Sequence, residues 1–410
     1  MNRAVGHAAD NRYEILDGLR GVAAISVMLY HFAQDTYSYH VLANAPFCVD
    51  LFFMLSAFVL CHSYKDKLAH GLTTTGYIAR RVIRLYPMFL ISMAIGIPTF
   101  GALTAMGLSG YSWNNFLSAS IGNLLLVPYL GHPHIADMAS ATSSLPHENT
   151  VEAIFPTNAP AWSLFFEMVA SVSLLLLFTL ARRALKHTVL LSAAFLILVS
   201  ELSGLDQGHL VLFAPQGWGT QNFIGGFIRV LFGFSTGVAI YQLHKNNETW
   251  KYKIQIGKLI KNDFMLYGVM LLLIAIPITA KGSIPMLATF IVAPLLVCRG
   301  AELQATNPAS LKLAKLLGWL SYPIYCLHFP IGRLVFFLLP DSEHHPYLAT
   351  GIATVATILA AALATKFVEE PVRRLLTRKF ISGSERPVQP AIRLPADAIE
   401  RSASIVGARD

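Results

Sequence analysis

The sequence predicts an all-α fold: a polytopic membrane helix bundle of about ten transmembrane helices, with both termini cytoplasmic. Three observations carry this expectation. Hydrophobic residues make up 54% of the 410 and charged residues 13%, about half the charged share of soluble domains. A mean hydropathy of +0.53 would force a water-soluble chain of this length to expose large apolar patches. Apolar segments recur at the length needed to cross about 30 Å of hydrocarbon, and basic residues sit on alternate connections between them, as orientation signals do. The net charge of +8 is therefore spread over segment ends, a distribution that argues against nucleic-acid binding.

In chain order the segments fall at 19–38, 46–64, 84–107, 160–181, 188–204, 223–243, 264–280, 284–299, 318–339 and 347–367. Lys65, Lys67, Arg80 and Arg81 follow the second, and Arg182, Arg183 and Lys186 the fourth. Lys245, Lys251, Lys253, Lys258 and Lys261 follow the sixth. Arg299, Lys312 and Lys315 follow the eighth, and Arg373, Arg374, Arg378 and Lys379 the tenth. The connections at 39–45, 108–159, 205–222 and 340–346 contain no Lys or Arg, and 281–283 contains only Lys281. The positive-inside rule then makes the number of spans even with both ends cytoplasmic, and the inner (plasma) membrane is the expected location.

One further apolar stretch, NNFLSASIGNLLLVPYL at 114–130, lacks flanking charge bias and reads as a re-entrant or interfacial helix on the outer side. Residues 1–15 form a cytoplasmic tail without a small-residue cleavage site. Residues 16–380 form the membrane domain, whose 108–159 loop caps the outer face. The tail at 381–410, with mixed charges and Pro387, Pro390 and Pro395, reads as a disordered cytoplasmic extension. His132, His134 and His147 lack metal-ligand spacing, so no metal is expected. Cys48, Cys61, Cys298 and Cys326 suggest buried thiols rather than a disulfide framework.

Polar groups inside the apolar segments point to a site. Arg20 and His31 lie eleven residues apart in YEILDGLRGVAAISVMLYHF. On one helix that is about three turns, so both share a face, roughly 16 Å apart along the axis. Counting helical rise from the cytoplasmic ends puts His31 about 18 Å deep, His328 about 15 Å, Glu167 about 20 Å and Asp50 about 24 Å, with Arg229 also in the outer half. Ionisable groups are costly in the membrane interior, and five at one depth argue for a shared site. Arg81 and Arg84, at i and i+3, share a face near Arg20 and can grip one anion. Competing structural readings exist: Asp50 and Arg229 as a buried ion pair, and His328, beside Pro323 and Pro330, satisfying carbonyls freed by helix breaks.

These residues sit in motifs that resemble the integral-membrane acyltransferase-3 family, which includes O-antigen, exopolysaccharide and Nod-factor O-acyltransferases and macrolide acylases. The motifs are LDGLRGVAAISVMLYHF with Arg20 and His31, VDLFFMLSAFVL with Asp50, Phe53 and Ser56, and RVIRLYP with Arg81, Arg84 and Pro87. Weaker echoes are AWSLFFEM with Trp162, Ser163 and Glu167, RVLFGFSTG with Arg229 and Gly237, LSYPIYCLHFP with His328, and EEPVRRL near the end. The resemblance runs from about Leu16 to Arg374. Two departures stand out: Ala57 replaces a usual Gly, which would narrow the approach of a ligand or helix, and Gly233 stands where an acidic residue is common. The esterase-like domain appended in some relatives is absent, so the membrane domain is expected to act alone or with a partner protein.

The resemblance implies an O-acyltransferase that moves an acyl group, expected to be acetyl, from cytoplasmic acyl-CoA to a hydroxyl of a glycan, glycolipid or related acceptor. Arg20, Arg81 and Arg84 would hold the CoA phosphates. His31 would be the general base, with Glu167 or Asp50 orienting it. Ser56 and Ser163 are conceivable acyl carriers, and Trp162, Arg229 and His328 candidate substrate contacts. Acyl-CoA is a substrate, and no permanently bound cofactor is expected. The alternative is a proton-coupled secondary transporter of a small anion, with His31, His328 and Glu167 as its relay. Oligomeric state and acceptor identity are left open by the sequence.

Overall fold

A computed structural model describes residues 13–35, 42–131, 153–177, 182–206, 216–246, 259–276, 283–339, 342 and 344–381. These residues form an all-α polytopic membrane bundle. Its helices are α1 (Glu14–Asp35), α2 (Phe47–Ala69), α3 (Thr74–Ala105), α4 (Trp113–Leu124), α5 (Trp162–Leu177), α6 (Arg182–Asp206), α7 (Phe223–Lys245) and α8 (Asp263–Ala275). A short helix α9 (Ser283–Leu287) passes through a π turn (Ala288–Val292) into α10 (Ala293–Glu302). Then come α11 (Pro308–Leu338), α12 (Pro346–Ala364), a second π turn (Thr365–Glu369) and α13 (Glu370–Phe380).

Each of the ten predicted segments falls on a helix, and seven helical stretches among the described residues are long and apolar enough to cross a membrane. α11 is 31 residues long yet is not one of the seven; Lys312, Lys315, His328 and Arg333 dilute its apolarity. α3 and α11 each begin about ten residues before the apolar run, because polar caps start them. Thr73 Oγ1 accepts from the Gly76 N–H at 3.1 Å, and Asn307 Oδ1 from the Ser310 N–H at 2.9 Å, which satisfies orphan donors of the first turn. α4 is 12 residues long, about 18 Å, too short to cross, and its Phe116 packs with Phe100 and Tyr111.

The most extensive helix pair is α1 with α11, then α2 with α7. Small residues let these backbones approach, the usual device where lipid supplies no hydrophobic drive. A Cβ on Gly21 would meet Leu317, one on Gly318 would meet Asp17, and one on Gly332 would meet Phe32. α1 and α11 therefore run side by side from Arg20 to His31. Between α2 and α7, a Cβ on Gly237 would strike the Met54 carbonyl oxygen and lie 2.8 Å from the Ala57 methyl. The Ala57 departure thus narrows a helix–helix contact. Gly233 likewise backs onto Phe53, where a Cβ would lie 2.6 Å from the Phe53 Cβ, so an acidic side chain has no room in this packing. We expect Gly237→Ala to cost about 1–3 kcal/mol through overpacking, read as a lower thermal midpoint in detergent. Adding Ala57→Gly should recover only part of the loss, because the Met54 carbonyl remains.

Proline placement also shapes the interior. Pro330 lacks the N–H that would pair with the carbonyl four residues earlier, that of Cys326. Asn158 Nδ2 donates to this oxygen at 3.0 Å and to Ser92 Oγ at 3.1 Å. This tie fixes the start of α5 against the middle of α11.

Candidate active site

The five ionisable groups expected at one depth separate into three clusters, with a fourth toward the Arg20 end. The first is a pair of imidazoles. His31 on α1 faces His328 on α11, ring centroids 5.3 Å apart and planes inclined by 29°. Phe329 stands edge-on to His31 at 5.9 Å, and Tyr325 lies 5.8 Å from His328. His31 is half-buried, whereas His328 is fully buried. Arg333, one turn further along α11, lies over the Phe329 ring at 5.1 Å and within electrostatic range of His31.

The second cluster centres on Glu167 of α5. Its Oε1 accepts from Ser56 Oγ and from an Arg81 NH2 group, both at 2.7 Å. Arg81 Nε reaches Ser171 Oγ at 3.3 Å, and Tyr77 donates to the Ser171 carbonyl at 3.1 Å. Arg81 therefore points into the bundle, away from the anion grip expected of it with Arg84. Positions i and i+3 differ by about 60° around a helix, enough for the two guanidiniums to take different neighbours.

The third cluster is the Asp50–Arg229 pair, joined by two parallel bonds of 2.7 and 2.9 Å. Arg229 also donates to the carbonyls of Gln216 at 3.0 Å and Pro46 at 3.1 Å. Thr289 donates to Asp50 at 3.2 Å, and the Trp162 ring covers the guanidinium at 5.2 Å. Both side chains are buried. The Asp50 carboxylate is thus engaged by α7 and the first π turn rather than by His31, and its expected orienting role has no geometric basis. The ion-pair reading of Asp50 and Arg229 describes what the structure holds.

The fourth cluster gathers cationic groups around Glu369, the last residue of the second π turn. Arg84 approaches Glu369 Oε1 at 3.5 Å and Arg373 at 3.1 Å. Arg20 lies within electrostatic range of Arg84; it pairs with Asp17 at 3.1 Å and donates to Ser321 Oγ at 2.9 Å. The three guanidinium side chains are 29–41% exposed, the Glu369 side chain only 3%. Partly exposed guanidiniums outnumbering the carboxylates that face them form a mouth suited to an external anion.

The two serines considered as acyl carriers are engaged elsewhere. Ser56 donates to Glu167, and Ser163 Oγ sits 2.6 Å from the Tyr325 hydroxyl and donates to the Pro160 carbonyl at 3.2 Å. Neither of these arrangements involves an imidazole. His132, His134 and His147 lie outside the described residues.

Comparison with known proteins decides the family. An acyltransferase domain model, that of the acyltransferase-3 family, matches residues 13–366. The chain belongs to this family. A relative from Rhizobium radiobacter, named protein 2 in the picA locus, is 34% identical over 191 residues, covering 44% of this chain and 90% of its own. An acyltransferase named MdmB from Streptomyces mycarofaciens is 30% identical over 182 residues, 42% of this chain. The chain spans 41% of that protein's length. No solved structure matches.

The clusters of this acyltransferase include residues that sequence reasoning passed over. Glu369 and Arg373 lie in EEPVRRL, and the motif signals the region without telling which acid turns inward. The π turn sends Glu369 inward, while its neighbour Glu370 pairs outward with Arg374 at 3.1 Å. Tyr322 and Tyr325 precede His328 by six and three residues, which puts them along one helix face, but aromatic residues in an apolar run read as core. Tyr322 donates to the Leu85 carbonyl and borders an apolar crevice with Val82, Leu164 and Met168.

Proposed function

We propose that this membrane acyltransferase takes its acyl group from cytoplasmic acyl-CoA, acetyl-CoA first among candidates, and places it on a hydroxyl of a glycan, glycolipid or related acceptor. The observation that carries the reading is the α1–α11 pair, which holds Arg20 beside the cationic mouth and His31 about 16 Å further along the same face. The charge pattern of the connections supports a cytoplasmic side for this mouth. Arg20, Arg84 and Arg373 bind the donor phosphates there, with Glu369 occupying their inner side until the donor enters. The pantetheine arm extends along the α1 face that carries both Arg20 and His31 and presents its thioester to His31.

A hydroxyl is a weak nucleophile until its proton leaves, and imidazole suits that task near neutral pH. His31 removes the proton as the hydroxyl oxygen attacks the carbonyl carbon. The carbon–sulfur bond then breaks and CoA departs as the thiol. Arg333, beside His31, is a candidate to stabilise the developing oxyanion. Transfer is direct in this reading, because Ser56 and Ser163 are held by Glu167 and by Tyr325 and Pro160 rather than by an activating imidazole.

Acyl-CoA turnover and transfer by purified protein test the proposal. Active protein with acetyl-CoA, saturable and lost in His31→Ala, supports it; no release of CoA thiol and no transfer from any acyl-CoA would sink it. Within that assay Arg84→Ala should raise the apparent KM for acyl-CoA about ten- to a hundred-fold, the loss of one charge-assisted contact. An effect confined to the acceptor would move Arg84 out of the donor site. Arg81→Ala should act differently, lowering folded protein by stripping Glu167 of its cation.

A further inference from the structure

His328 carries a bare acceptor that helix packing does not explain. Its Nδ1 lies 3.0 Å from the Ile324 carbonyl oxygen. A carbonyl oxygen only accepts, so Nδ1 carries the proton, and in the neutral ring Nε2 keeps a lone pair. That Nε2 is buried without a hydrogen-bond partner, an arrangement that is unfavourable for a polar atom in an apolar interior. Repair of a broken helix does not account for it. The carbonyl freed by Pro330 is that of Cys326, and Asn158 already serves it. Ile324 precedes His328 by four residues, and His328 has its own backbone N–H.

The imidazole beside it is that of His31, stacked on His328 with centroids 5.3 Å apart and planes inclined by 29°. Turning the half-buried His31 ring so that one N–H points at Nε2 would form the bond. The carboxylates that would otherwise orient His31 are occupied: Glu167 by Ser56 and Arg81, Asp50 by Arg229 and Thr289. Arg333, the charged neighbour on α11, only donates.

We propose that His328 is the positioning residue for acyl transfer: its Nε2 accepts a hydrogen bond from one ring N–H of His31, leaving the other His31 nitrogen as the base. This rests on the reading of His31 as the base. When the acceptor oxygen bonds to the thioester carbon, its proton passes to that free nitrogen. The opposite N–H of the imidazolium remains bonded to Nε2 of His328. As the carbon–sulfur bond breaks, the proton leaves His31 for sulfur, and both rings return to their starting tautomers. His328 never exchanges a proton; as an acceptor it fixes the tautomer and stabilises the imidazolium, the role of the third member of a catalytic triad.

The test compares His328→Leu with His328→Gln, following CoA thiol release from acetyl-CoA by detergent-purified protein of matched folded content. Gln keeps an acceptor near the Nε2 position and Leu does not. His328→Leu should lose about 10²-fold or more in kcat, with the KM for acetyl-CoA within about threefold of wild type. His328→Gln should retain activity within about tenfold. Wild-type kcat in His328→Leu would overturn the proposal, as would equal loss in both folded variants. Nitrogen-15 NMR of histidine-labelled wild type gives a second reading independent of the variants. A protonated Nδ1 and bare Nε2 at His328 are expected, and the opposite tautomer would also overturn it. If instead His31→Ala keeps full activity, the underlying reading of the base fails, whatever His328 does.

Discussion

His31→Ala is expected to lower acyl transfer by about 10²–10⁴-fold, the usual contribution of a positioned general base, while leaving the protein inserted and folded. The surroundings of the ring give the reason for both halves. His31 is half-buried and faces His328 and Phe329, which leaves part of its ring accessible for the proposed role as base. The α1–α11 contact is carried by other residues: Gly21 on Leu317, Gly318 on Asp17, Gly332 on Phe32. Removing the ring leaves that packing in place. The check is label transferred from acetyl-CoA at matched protein abundance, with folded content read by size-exclusion in detergent. Product at wild-type levels would remove His31 from the mechanism.

The second large effect is on folding. Asp50→Ala should cost about 3–5 kcal/mol, because it leaves the Arg229 guanidinium buried without its counter-charge. That is a large part of a typical folding free energy, and little folded protein should accumulate. Replacing both partners, as in Asp50→Leu with Arg229→Met, should recover more folded protein than Asp50→Ala alone. Recovery stays incomplete, since the carbonyls of Pro46 and Gln216 lose their donor. The folded fraction of the double variant should remain active, because the pair faces Trp162 and Thr289 rather than the imidazoles. Abundant, folded and inactive Asp50→Ala protein would instead restore a catalytic part for Asp50.

How much of this was legible beforehand varies by residue. Arg20 and His31 could be paired from spacing alone, because helical rise and twist fix their register within one element. The all-α class followed from composition and recurring apolar runs, as each predicted segment proves helical. Lateral position was not legible. Glu167, Asp50 and Arg229 lie at similar reckoned depths, yet depth along a helix does not reveal which helices are neighbours. Glu167 meets α3 through Arg81 and α2 through Ser56, while Asp50 meets α7, 179 residues away. Arg81 and Arg84 were read as one grip from a rule for ideal helices. α3 instead lies between α5 on one side and the second π turn on the other, and the small angular offset sends each guanidinium to a different acid. The inward turn of Glu369 depends on that π turn, a local widening of the helix with no clear sequence signature.

The most direct test of the central claim, donor entry at the arginine mouth and chemistry near His31, is a sidedness measurement in sealed, right-side-out vesicles carrying the natural outer acceptor. Labelled acetyl-CoA trapped in the lumen should label the acceptor, and labelled acetyl-CoA supplied only outside should not. Arg84→Ala should weaken the lumenal reaction at limiting donor. Equal labelling from outside-only donor, in vesicles shown to be intact, would contradict the account and the assignment of Arg20, Arg84 and Arg373 to the donor.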